Sequence, residues 1–150
     1  MNRHANIAAF AVLMMLIPTA FSAATYDDCL NAITTMSPPI KNAQSSIDSL
    51  NSKLNDANTY GITSPIYSSA ATSAQSLLTK ARASEHSASA EFAGAEYDAC
   101  VNDATSAQNY ANQADSTADS TINTLNSILN APLKYELTAD QSSFQLADGT

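Results

Sequence analysis

Tryptophan is absent from this 150-residue chain, glycine occurs three times, and cysteine and histidine twice each. Each shortage excludes a class of function. Three glycines leave no room for a loop that cradles phosphate, and neither a GxGxxG nor a GxxxxGKS/T pattern occurs. Two Cys and two His cannot build a zinc finger or a His-rich metal cage, so no metal or cofactor is expected. Cations are also scarce: six Lys and Arg stand against fourteen Asp and Glu, for a net charge of −8. Nucleic-acid binding needs clustered cations to neutralise phosphates, so DNA and RNA are not expected partners. Thirteen Asn and more than thirty Ser and Thr are present without one N-x-S/T sequon, so no N-linked glycan is expected.

Catalytic groups are equally thin. His86 is the sole histidine after the first few residues, and the helical register places it opposite an alanine stripe, facing solvent. No serine sits in a GxSxG elbow or beside an obvious base. Asp27, Asp28, Glu96 and Asp98 fall at expected helix starts, where the helix dipole accounts for them. Asp115 and Asp119 lie one turn apart, a spacing that a solvated helix face explains, and no Asp-rich loop matches a calcium site. No catalytic residues are assigned, and the chain is expected not to be an enzyme.

What is present begins with an address. Arg3 and His4 precede an apolar run from Ile7 to Phe21, broken only by Pro18 and Thr19. The run is short for a bilayer span, and Ser22 and Ala24 supply small residues at the −3 and −1 positions of a cleavage site before Thr25. Residues 1–24 are therefore expected to be a signal peptide, with cleavage after Ser22 as the alternative. Asp27 and Asp28 precede Cys29, which rules out a lipid attachment motif there, and no membrane span is expected after cleavage. Loss of Arg3 leaves five Lys and Arg against fourteen acids, a mature charge near −9 that repels anionic surfaces.

Beyond the leader, Ala, Ser, Thr and Asn dominate, but the spacing of the larger apolar residues is regular. Tyr26, Ile33, Ile40, Ile47 and Leu54 recur every seven residues, and Cys29, Met36, Ala43, Leu50 and Ala57 follow three behind. This a/d heptad pattern predicts a helix over about 26–58, with Thr25 as N-cap and Gly61 as stop. The phase runs unchanged through Pro38-Pro39, which favours one kinked helix over two separate ones. Ser64-Pro65 opens a second helix, expected at 65–92, with a stripe of Tyr67, Ala70, Ala74, Leu77, Ala81 and Ala88 flanked by Leu78 and Phe92. Gly94 predicts a tight turn. A third helix, about 95–130, carries Tyr97, Ala104, Ala111, Ala118 and Leu125 with Cys100, Ala107, Ala114, Thr121 and Ile128 three behind, and Pro132 ends it.

The predicted fold class is all-α. Residues 25–131 form an elongated antiparallel three-helix bundle or coiled coil, its first helix kinked at Pro38-Pro39, with a four-helix bundle as the alternative. Residues 132–150 form a short β-like or disordered C-terminal tail, in which Leu133, Tyr135 and Leu137, then Phe144 and Leu146, alternate with polar residues.

The two cysteines carry the sharpest expectation. In a three-helix bundle the first and third helices run parallel. Cys29 and Cys100 each sit near a helix start, three residues after a Tyr, in the matching segments Tyr26-Asp27-Asp28-Cys29 and Tyr97-Asp98-Ala99-Cys100. They are expected at one level, joined by a disulfide that suits an exported protein. The functional expectation is a non-enzymatic exported protein, secreted or at the cell surface, acting as a structural spacer or protein-interaction module. The alternative is a secreted inhibitor or effector that binds a partner protein through a bundle face or the tail. A protein partner or self-association is expected without being identified. An alanine-rich core disfavours a ligand carrier, and no eleven-residue Thr repeat supports ice binding.

Overall fold

The computed structural model describes residues 23–131. They form three helices packed against one another: α1, Tyr26–Thr59; α2, Pro65–Ala93; and α3, Tyr97–Leu129. The expected signal peptide, apart from Ala23 and Ala24, and the expected tail at 132–150 lie outside the described residues. At a rise of about 1.5 Å per residue, α1 is about 50 Å long.

Pro38 and Pro39 lie inside α1, which is a single helix, so the described residues contain three helices rather than four. Each proline lacks the N–H that would serve the carbonyl four residues back, on Thr34 and Thr35. Both threonines are on the exposed face. The core face of this stretch is held by Met36 and Ile40, both buried. Gln108 Nε2 of α3 donates to Thr35 Oγ1 at 2.8 Å beside the proline pair.

The helix ends follow local chemistry. Thr25 and Asp28 form a reciprocal capping box: the Asp28 backbone N–H donates to Thr25 Oγ1, and the Thr25 N–H donates to Asp28 Oδ2 at 2.9 Å. α1 ends in a Schellman turn. Ile62 N–H donates to Ala57 O at 2.9 Å and Gly61 N–H to Asn58 O at 3.0 Å, with Gly61 in the left-handed region at φ 74°. Ser64 caps α2 ahead of Pro65, as the sequence predicts.

Long-range pairs fix the directions. Cys29 meets Cys100, Thr35 meets Gln108, and Ser46 Oγ donates to Asp115 Oδ1 at 2.6 Å, so α1 and α3 run parallel. Gln44 accepts from Arg82 at 2.7 Å while Tyr26 stacks on Phe92, so α2 runs opposite to α1. α3 packs extensively against both α1 and α2, which touch each other less. Side-chain size explains this. The buried row of α3 includes Ala104, Ala107, Ala111, Ala114 and Ala118, which let neighbouring backbones approach closely. α1 contributes the larger Met36, Ile40, Ile47 and Leu50, which hold its axis farther from α2.

The heptad positions are the core positions, with informative exceptions at the ends. Tyr26 and Ile128, the first a and last d residues, are 51% and 39% exposed. In α2, Leu78 is fully buried while Leu77, placed in the predicted stripe, is only half-buried. Thr121 occupies a core d position and satisfies its hydroxyl on Thr117 O at 2.8 Å.

Candidate functional site

The two ends of the bundle differ, and they hold the features that the helical repeat alone does not explain. At the first end, the starts of α1 and α3 lie side by side. Cys29 and Cys100 are both fully buried and disulfide-bonded, with Cα atoms 5.7 Å apart. The matching Tyr-Asp-x-Cys segments thus pair residue against residue. The Tyr26 and Tyr97 rings meet edge to face with centroids 6.0 Å apart, and Phe92 from the end of α2 lies 5.1 Å from Tyr26. The three rings cluster at the end of the bundle where α1 and α3 begin and α2 ends, with Tyr26 exposed at the rim. In the uncleaved chain the Ala24 backbone N–H donates to Asp98 Oδ1, a contact that cleavage before Thr25 would remove.

A carboxyl group missed in the sequence lies at the same end. Glu91 of α2 is half-buried, and its Oε2 is sealed from solvent without a hydrogen-bond partner. Loss of hydration, together with the like charges of Asp103 and Glu96, raises its pKa above the ordinary value of 4.5. The signal was present: Glu91 stands three residues after core residue Ala88, at an inward-facing position of the heptad. Asp28 shows the opposite shift, lowered by the side-chain and backbone hydrogen bonds from Thr25.

At the second end lie the α1–α2 turn and the last turn of α3. There Tyr60 is 77% and Ile66 75% exposed, the two most exposed large apolar residues among those described. A groove of about 970 Å³ runs between the ends of α1 and α3, lined by Lys53, Asp56, Tyr60, Ile62, Ile128 and Leu129 and reaching Ala131. Lys53 and Asp56 form an exposed ion pair at 3.7 Å.

The remaining polar residues have structural partners or face solvent. Asp115 accepts from Ser46 across the α1–α3 seam, whereas Asp119, one turn on, is exposed. His86 is exposed, as its register predicts. Lys80 Nζ lies 5.8 Å from the centre of the Tyr110 ring, a surface cation–π contact between α2 and α3. Many Ser and Thr hydroxyls turn back onto their own helix; those of Thr34, Ser49, Thr79, Ser89 and Thr117 donate to the carbonyl four residues earlier. Among the described residues, no three His, Cys, Asp or Glu side chains are grouped to hold a metal ion, and no helix is long and apolar enough to cross a membrane. Compared with models of protein families, with curated proteins and with solved structures, the chain matches none.

Proposed function

We propose that the chain is exported and acts, outside the cell or at its surface, as a non-enzymatic helical spacer or protein-interaction module. The observation that carries this reading is the Cys29–Cys100 disulfide, fully buried and tying the first helix to the last. Structural disulfides persist in oxidising compartments and are rare where thiols are kept reduced. The apolar run from Ile7 to Phe21, with small residues before Thr25, is the matching export signal. The bundle is an elongated antiparallel rod, bent at Pro38-Pro39, whose acidic and hydroxyl-rich faces keep it soluble and away from anionic surfaces.

The test is expression of the full chain, tagged at its C-terminus, in its own source cells. The reading predicts protein in the medium or cell envelope that begins Thr-Tyr-Asp-Asp, without hydrolase or redox turnover. Intact Met1 in a cytosolic or membrane fraction overturns export. An activity that follows the pure protein and disappears with one point substitution overturns the non-enzymatic role. Affinity capture from the same medium separates the two modes of action: retention in the envelope marks a spacer, and one stoichiometric protein partner marks an inhibitor or effector.

A further inference from the structure

The end of the bundle that holds the disulfide is short of positive charge. Its helix termini bring together Asp27 and Asp28 of α1, Glu91 of α2, and Glu96, Asp98 and Asp103 at the start of α3. Among the described residues α3 has no Lys or Arg, and the nearest to this end on the other helices are Lys41 and Arg82. Lys41 stands about 18 Å beyond Cys29 along α1, and Arg82 about 15 Å before Phe92 along α2. Both distances exceed the Debye length of about 8 Å at physiological salt. His86, exposed on α2, stands about 9 Å before Phe92. Two backbone nitrogens already point into the carboxylates. The Thr25 N–H donates to Asp28 Oδ2 at 2.9 Å, and the Ala24 N–H, one residue earlier, donates to Asp98 Oδ1. Asp28 of α1 and Asp98 of α3 thus converge on the Ala24–Thr25 segment.

We propose that leader removal before Thr25 supplies the missing cation: the new Thr25 α-ammonium pairs with both Asp28 and Asp98 and so ties the start of α1 to the start of α3. The inference rests on the export reading above and adds what cleavage does to the fold. An export peptidase adds water across the Ala24–Thr25 bond. The water oxygen goes to the Ala24 carbonyl carbon and both its protons to the Thr25 nitrogen, leaving a carboxylate on the leader and an ammonium on the bundle. The nitrogen stays beside Asp28 and gains a unit charge, so a neutral hydrogen bond becomes a charge-assisted one. Hydrogen bonds from the Thr25 side chain and backbone lower the Asp28 pKa, which keeps its carboxylate ionised. Asp98 Oδ1 loses its Ala24 partner in the same event and lies within about 6 Å of the ammonium, one residue along the chain. The positive end of the α1 dipole opposes an ammonium here, and the second carboxylate offsets that opposition.

The test uses the secreted, disulfide-intact protein, its first residue read by N-terminal sequencing, with the variants Asp98→Asn and Asp27→Asn. The pH dependence of acylation of the Thr25 amine, followed at low salt by mass spectrometry of the N-terminal peptide, reads how tightly the ammonium holds its proton. The proposal predicts an affinity about three- to tenfold above that of an ordinary terminal amine, whose pKa is about 7.7–8.0, a size in keeping with exposed ion pairs. Asp98→Asn leaves the α1 capping box whole and is expected to remove a large part of that excess with helical content unchanged. Asp27→Asn, an equal change of charge on the same helix turn, is expected to remove less. An ordinary affinity at a Thr25 terminus, or equal effects of the two variants, overturns the pairing and leaves export standing. A secreted chain that begins at Ala23 also overturns it, because the Thr25 nitrogen then stays an amide. Intact Met1 overturns the export reading, and this inference with it.

Discussion

Ala95, not its neighbour Gly94, holds the left-handed position that ends α2. Ala95 has φ 61°, while Gly94 sits in ordinary right-handed geometry at φ −81°. The bonding is that of a Schellman turn: Glu96 N–H donates to Glu91 O at 2.9 Å and Ala95 N–H to Phe92 O at 3.2 Å. The glycine therefore stands one residue before the position that needs it.

Ala95→Gly is expected to raise stability by about 1 kcal/mol, the cost of a left-handed alanine. Gly94→Ala is expected to add about 0.4–1 kcal/mol by restricting the unfolded chain. A Cβ at position 94 would meet Glu91 O at 3.5 Å and Ala90 O at 3.6 Å, ordinary contacts that leave room for it. Thermal or urea unfolding of both variants checks this. Destabilisation by Ala95→Gly would contradict the turn geometry.

Glu91 gives the bundle an acid-favoured component of stability. Its pKa is raised in the folded state by desolvation and by Asp103 and Glu96, so the folded chain holds this proton to higher pH than the unfolded chain. That contribution is present below the unfolded value near 4.5 and is lost as pH rises through the folded value. Asp28 opposes it: its lowered pKa contributes stability above 3.8 that is lost as pH falls through the folded value. Glu91→Gln is expected to raise the neutral-pH melting temperature and flatten its dependence between pH 7 and about pH 4.5. An unchanged pH profile would contradict the placement of Glu91.

The alanine layers of α3 are fully buried. Ala111→Leu, at a fully buried position of α3, is expected to cost about 1–3 kcal/mol by forcing α3 away from its neighbours. Leu78→Ala, the largest loss of buried volume available in α2, is expected to cost about 2–5 kcal/mol. Denaturant unfolding measures both. A stabilising Ala111→Leu would mean that the core holds unfilled space.

Much of this was legible in the heptads. Cys29, Met36, Ala43, Leu50 and Ala57 in α1, and Cys100, Ala107, Ala114 and Thr121 in α3, are buried as their spacing predicts, because a/d positions face the seam of any packed helix pair. The disulfide pairing followed from the parallel direction of α1 and α3. Spacing was weaker in α2, where alanines on several faces blur the stripe. There Leu78 is the core leucine, and Glu91 escapes the pattern because an acid ordinarily marks a solvated face. Gly94 marks the turn that ends α2 but not the residue that adopts positive φ, which is Ala95. The groove required tertiary contact between the ends of α1 and α3, and no local pattern encodes that.

The claim on which the account rests most heavily is that Cys29–Cys100 fastens an alanine-cored bundle whose first and third helices run parallel. Intact mass with and without reductant, followed by thermal unfolding of both forms, tests it most directly. The account predicts an oxidised monomer lighter by two hydrogens. It also predicts that reduction lowers stability by about 4 kcal/mol, the chain-entropy value for a bridge spanning 71 residues, with a midpoint lower by more than about 10 °C. Two free thiols in the freshly isolated, unreduced protein, or coincident melting of the two forms, would contradict it.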